Sequence, residues 1–119
     1  VWGGVALLGG LGAIARFLLD GAVGAHVGRA SGFPLGTFAV NMSGALLLGL
    51  LSGAALTGDA LVLAGTATLG SYTTFSTWML ESQRLAEDAD GNGALLNILL
   101  SLAVGAAAAT LGHAIGAHL

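Results

Sequence analysis

The chain has 119 residues, 55% of them hydrophobic and only 8% charged, with three basic side chains against six acidic ones and a net charge of −3. Ordinary soluble domains carry roughly 25% charged residues, so water is not the main solvent of this chain. Three Arg cannot neutralise a run of phosphates, which excludes nucleic acid as a partner, and the absence of cysteine excludes disulfides, thiolate metal sites and cysteine nucleophiles.

The first apolar stretch, residues 1–19, has Arg16 as its only charge, with Asp20 one helical turn later. It lacks the basic leader and cleavage site of a secretory signal and runs straight into more hydrophobic sequence, so it is read as a membrane helix. Arg16 is expected to snorkel to the interface or pair with Asp20. The start at Val1 is read as a trimmed N-terminus. A connector, residues 20–32, holds His26 and Arg29 and leads into a Gly32-Phe33-Pro34 turn.

The second span, residues 33–55, is free of charge and carries Thr37, Asn41 and Ser43. Thr37 and Asn41 are four apart and share a helix face. Polar groups at membrane depth cost free energy unless they are paired or line a wet path, so this face is either interhelical glue or part of a functional site. The glycosylation pattern at Asn41-Met42-Ser43 is accidental inside an apolar span.

The third span, residues 60–80, ends in Gly70-Ser71-Tyr72-Thr73-Thr74-Phe75-Ser76-Thr77-Trp78. Hydroxyls dominate this stretch, and its Gly and β-branched Thr residues are poor helix formers. The third helix is therefore expected to break near its middle, leaving backbone carbonyls free to hold a small cation. The alternative is a continuous helix whose hydroxyls bond back to carbonyls one turn earlier. Gly65 to Gly70 imitates half a phosphate loop, but no Lys follows it.

A polar connector, residues 81–93, holds Glu81, Arg84, Glu87, Asp88 and Asp90 and ends in a Gly91-Asn92-Gly93 turn signal; it lies on the same membrane side as the first connector. In the fourth span, residues 94–119, Asn97 and Ser101 are four apart on one face that continues through Gly105. His113 and His118 read as interfacial residues rather than metal ligands, having no acidic or thiolate neighbour at ligand spacing. No span contains a buried carboxylate, the usual element of proton-coupled transport, so the chain reads as passive.

Together these elements predict an all-α membrane protein, a single domain over residues 1–119 with four transmembrane helices. The 21 glycines include pairs four apart, Gly24/Gly28, Gly49/Gly53 and Gly112/Gly116, which let helix backbones approach closely in lipid. One such bundle is too thin to enclose a polar path, so an oligomer is expected, and no internal repeat supports a fused inverted-repeat transporter. The positive bias of Arg29 and Arg84 is small, which permits insertion in both orientations.

Three segments carry a resemblance: Gly9-Gly10-Leu11-Gly12-Ala13-Ile14-Ala15-Arg16-Phe17, Pro34-Leu35-Gly36-Thr37-Phe38-Ala39-Val40-Asn41-Met42-Ser43-Gly44, and the Gly70 to Trp78 stretch with Glu81. In this order the chain resembles the Fluc (CrcB) family of fluoride channels. The resemblance implies an antiparallel dual-topology homodimer in the plasma (inner) membrane, with two pores that pass fluoride passively out of the cytoplasm. It implies a structural sodium ion, Na+, at the centre of the interface, held by the carbonyls of Gly70 and Thr73. It maps the pore onto Asn41, with Thr37 on the same face, onto Phe75, and onto Ser101 with Asn97 one turn away. Arg16 and Glu81 belong to the matched segments as structural residues. The family's second pore Phe is Trp78 here, whose ring edge and indole N–H are expected to guide fluoride unless the ring is only a packing aromatic. The competing readings are a small multidrug-type exporter, which needs a membrane carboxylate in its first helix, and a non-conducting structural subunit. No nucleophile–base–orienter set marks an enzyme.

Overall fold

The computed structural model describes residues 1–27 and 33–119. Gly28, Arg29 and Gly32 lie outside the described residues, and with them the Gly24/Gly28 pair, the first turn signal and half of the charge bias. In chain order the helices are α1 (Trp2–Val27), α2 (Leu35–Gly53), α3 (Gly58–Leu61), a π-helical segment (Val62–Leu69), α4 (Gly70–Tyr72), α5 (Ser76–Glu87) and α6 (Gly91–Gly116). All regular structure among the described residues is helical.

Three of these helices are long and apolar enough to cross a membrane: α1 over Trp2–His26, α2 and α6, with mean hydropathies of 1.6, 1.6 and 2.0. Little of their surface is buried within the chain, so their apolar side chains face outward, as a bilayer solvent requires. The molecule measures 46 × 30 × 23 Å, its long axis close to the roughly 40–45 Å of a bilayer with its headgroups. The chain is a multi-pass membrane protein. Residues 58–87 form short helices in succession, none of which is by itself long and apolar enough to cross a membrane.

The helices outrun their apolar stretches in three places. α1 does not stop at Leu19 but continues to Val27, through Ala, Val, Gly and His residues with no Pro to end it, and His26 Nδ1 lies 2.8 Å from the Ala22 carbonyl oxygen. Asp20 therefore sits within the first helix, where it is exposed rather than buried. α5 extends past Leu80 to Glu87, with a 3.0 Å hydrogen bond from Gln83 to Glu87 on its exposed side. Gly91-Asn92-Gly93 is the first turn of α6 rather than a loop. Asp90 caps it, its Oδ1 accepting the Gly93 N–H at 2.9 Å, which satisfies one of the orphan donors of a helix start.

The most extensive packing joins α2 to α6. Here the two glycine pairs expected from their spacing meet backbone to backbone. A Cβ on Gly49 would run into the Ala109 carbonyl oxygen, and one on Gly53 into that of His113. From the opposite side, Gly112 and Gly116 abut the Leu46 and Leu50 carbonyl oxygens. Backbone cannot give way as a side chain can, so this seam fixes the height and rotation of α2 against α6. Gly105, higher on α6, faces only the flexible end of Met42, at 3.4 Å from where a Cβ would sit.

Gly112→Leu is expected to destabilise the fold by about 1–3 kcal/mol or more, as overpacking against rigid neighbours does. Gly105→Ala is expected to be tolerated. Thermal unfolding midpoints in detergent check both, and equal midpoints for the two variants would contradict the seam.

Candidate functional site

Residues 62–78 are where backbone hydrogen bonding departs from the α pattern. In the π-helical segment the Thr68 hydroxyl donates to the Leu63 carbonyl five residues back, at 2.7 Å, and the Gly70 N–H reaches the Gly65 carbonyl. α4 then ends at Tyr72, and Thr73 is extended, with φ −79° and ψ 162°. The Thr73 N–H and hydroxyl both return to the Leu69 carbonyl, each at 3.0 Å. Ser71 likewise bonds back to the carbonyls of Ala67 and Thr68.

Thr74 does something different. Its N–H donates to Asn41 Oδ1 and its carbonyl accepts from Asn41 Nδ2, both at 2.9 Å. The side-chain amide of α2 thus replaces a peptide group for this residue. Thr74 Oγ1 in turn accepts the Thr77 N–H at 3.2 Å and donates to Thr77 Oγ1 at 3.1 Å, opening α5 as a helix cap does. With the Thr74 N–H drawn off to Asn41, the Gly70 carbonyl loses its helical donor. Neither it nor the Thr73 carbonyl accepts a hydrogen bond from a described residue.

Two cavities flank Thr74. A cleft of ≈ 580 Å³ is lined by Asn41, Gly70, Thr73, Thr74, Phe75 and Trp78 together with apolar residues such as Leu48 and Leu69. The Phe75 ring is 70% exposed there and meets Trp78 edge to face, with centroids 5.7 Å apart. On the other side, a cavity of ≈ 130 Å³ is lined by Arg16, Asp20, Thr37, Thr74 and Thr77 among others. Thr37 is 3% exposed and lies beside Glu81, whose buried Oε1 has no hydrogen-bond partner among the described residues. The expected Arg16–Asp20 pair is not made. Asp20 turns instead onto Gly36 of α2, where its carboxylate fills the space a Cβ would take.

Trp78 and Asn97 lie at the α5–α6 contact, and Ser101 is one turn on from Asn97 on α6. The indole N–H, expected to be available to an anion, donates to the Asn97 backbone carbonyl at 3.2 Å. Asn97 is 1% exposed and its Nδ2 donates to Ser82 Oγ at 2.8 Å, while the Ser82 hydroxyl donates to the Trp78 carbonyl at 2.9 Å. Ser101 is buried, and its hydroxyl makes no hydrogen bond with a described residue. Asn97 and Ser101 line neither cavity. Sequence reasoning missed Ser82, hidden in a run of charged residues. It also missed the 2.8 Å hydrogen bond between Ser43 and the Tyr72 hydroxyl, which ties α2 to α4. The one usable signal was the spacing of Ser82 four residues after Trp78. Among the described residues no cluster of His, Asp or Glu could hold a metal.

Residues 4–113 match the family model described as CrcB-like protein, Camphor Resistance (CrcB). A protein of Mycolicibacterium paratuberculosis named "Fluoride-specific ion channel FluC 2" is 57% identical over 113 residues, covering 95% of this chain and 91% of its own. A Mycobacterium bovis protein of the same name is 54% identical, with coverages of 95% and 88%. "Fluoride-specific ion channel FluC 1" of Symbiobacterium thermophilum is 43% identical over 124 residues, with coverages of 97% and 96%. No solved structure matches.

Removing the Asn41 amide would leave the N–H and C=O of Thr74 unpaired, and each unsatisfied buried group costs roughly 1–3 kcal/mol. Asn41→Leu is therefore expected to lower the unfolding midpoint in detergent, whereas Asn41→Gln, which keeps the amide on a longer stem, should lose less. An unchanged midpoint for Asn41→Leu would show that the amide does not support Thr74.

Proposed function

The chain belongs to the CrcB family, and from that premise we propose that it is a fluoride-selective channel, passive and not an enzyme. The observation that carries this reading is its 57% identity, over 95% of its length, to a protein named as a fluoride-specific ion channel. The site supplies chemistry that suits such an ion. Fluoride is small and strongly hydrated, so a selective path must replace water with hydrogen-bond donors while binding weakly enough for exit. An Asn amide has two N–H donors, and Asn41 gives one to Thr74, leaving one for the anion. The Ser101 hydroxyl is uncommitted, Thr37 carries a further hydroxyl, and the exposed Phe75 ring offers a positively polarised edge that attracts an anion without trapping it. Asn97 and Trp78 support this path from the α5–α6 side.

In this reading two copies pair as an antiparallel, dual-topology homodimer in the plasma (inner) membrane. The open cleft supports pairing, because the polar groups of Asn41, Thr73 and Thr74 on its wall are costly against lipid, and a second copy would cover them. Each dimer would carry two pores, and fluoride would leave the cytoplasm down its gradient. The cleft also fits a structural Na+: the carbonyls of Gly70 and Thr73, both on its wall, lack donors, and a hard cation takes such oxygens without needing a carboxylate. Bound there, sodium would supply positive charge to carbonyl dipoles that the chain itself leaves unpaired.

The exporter reading needs a membrane-embedded carboxylate in the first helix, and the one carboxylate of α1, Asp20, is exposed rather than buried. A passive channel conducts without a proton gradient and an exporter does not, so fluoride efflux from liposomes at equal internal and external pH separates them. The pore role of Asn41 is tested in the same assay. Asn41→Asp keeps the acceptor for the Thr74 N–H but puts a negative charge where the anion passes. Two like charges about 4 Å apart at an effective dielectric of about 20 repel by roughly 4 kcal/mol, so efflux is expected to fall roughly a hundredfold or more. Normal efflux from an Asn41→Asp protein that elutes as wild type would remove Asn41 from the path.

A further inference from the structure

Trp78, Asn97 and Ser82 close a ring of hydrogen bonds in which every residue both donates and accepts. The indole Nε1–H of Trp78 donates to the Asn97 carbonyl at 3.2 Å. The Asn97 side-chain amide donates to Ser82 Oγ at 2.8 Å, and the Ser82 hydroxyl donates back to the Trp78 carbonyl at 2.9 Å. Asn97 and Ser82 are 1% and 5% exposed, so water does not substitute for any of these bonds. In a low-dielectric interior such a closed circuit is stronger than isolated pairs, and an opened one is costly. The Asn97 carbonyl is also the helical acceptor for the Ser101 N–H, by the register of an α-helix, so its second lone pair is the one that takes the indole.

The consequence falls on the ring. Trp78 lines the cleft beside Asn41 and Thr74, and its other recorded partner is the edge-to-face contact with Phe75, with an interplanar angle of 79°. An indole held only by that contact could turn about its side-chain torsions. Its N–H is held by the Asn97 carbonyl of α6, and Asn97 is in turn tied to α5 through Ser82, which restrains the ring.

We propose that Ser82 and Asn97 are positioning residues for Trp78: their circuit fixes the indole against Phe75 and so sets the width of the anion path beside Thr74. The inference rests on the channel reading, but the circuit itself has a readout independent of conduction. Neither Ser82 nor Asn97 acts here by touching fluoride. The donor that distinguishes indole from a plain phenyl ring serves as an anchor, not as an ion ligand.

The chain has two Trp residues, so a Trp2→Phe parent, which removes an indole that is 86% exposed, leaves Trp78 as the sole emitter. In that parent, Ser82→Ala is expected to shift the emission of Trp78 to longer wavelength, lower its anisotropy and slow fluoride efflux from liposomes roughly fivefold, because a buried donor loses its partner. Ser82→Thr, which keeps the hydroxyl, should restore all three. With Trp78→Phe added there is no indole to anchor, so Ser82→Ala should change efflux by less than about twofold, the signature of coupling between the two positions. Unchanged emission in Ser82→Ala overturns the proposal. So does an equal loss of efflux with and without Trp78→Phe, which would make Ser82 merely structural. A parent that emits as expected but passes no fluoride sinks the channel reading, and with it the control of the path, while the emission shift still decides whether the circuit exists.

Discussion

A bilayer offers no water to a backbone, so every N–H and C=O inside it must find a partner in the protein. The organisation around residue 74 follows from that rule. Thr73 is extended, the regular ladder stops, and Thr74 is left to be paired by other means. The Asn41 side chain supplies both a donor and an acceptor at 2.9 Å, which is what a peptide group would have supplied. An Asn in a membrane helix thereby resolves two costs at once, its own desolvation and that of Thr74. Among the described residues no donor reaches the backbone carbonyls of Gly70 and Thr73, two residues on the wall of the cleft.

This arrangement needs α2 held at a definite height, since an amide that must meet both groups of one residue tolerates little displacement. The backbone contacts of Gly49 and Gly53 with α6, and of Gly112 and Gly116 with α2, provide it. The same two helices carry most of the polar residues in question. Thr37, Asn41 and Ser43 project from α2, and Asn97 and Ser101 from α6. The small cavity joins α1 to this core through Arg16, Asp20 and Thr37, with Glu81 of α5 beside Thr37. Ordinary core packing plays a minor part, since Val40 and Leu69 are the large apolar side chains buried among the described residues.

Much of the helical architecture was legible in the sequence, because spans of apolar residues and glycines four apart report directly on solvent and on close approach. The polar clusters were legible for the same reason: Asn41, Asn97 and Ser101 are costly at membrane depth and stand out against their surroundings. Partners were not legible. Nothing in a linear pattern says that Asn41 reaches a residue 33 positions away, or that the amide of Asn97 reaches Ser82. The indole of Trp78 shows the limit best, since a donor that reads as available proves to be committed to a backbone carbonyl. Helix ends were also misjudged where charge was taken for loop. α1 runs through Asp20 and α5 through Glu81 and Arg84, because helix propensity does not end where apolarity does.

The central claim is that these hydrogen-bond donors and ring edges form a path that discriminates among anions, rather than a set of contacts that merely join helices. The most direct measurement is the efflux of fluoride and of chloride from liposomes loaded with both and reconstituted with the purified protein, each read with its own ion electrode. The account expects rapid loss of fluoride with chloride retained, because chloride is larger and its hydration shell is exchanged for donors on different terms. Equal release of the two halides, or release of neither, would contradict it.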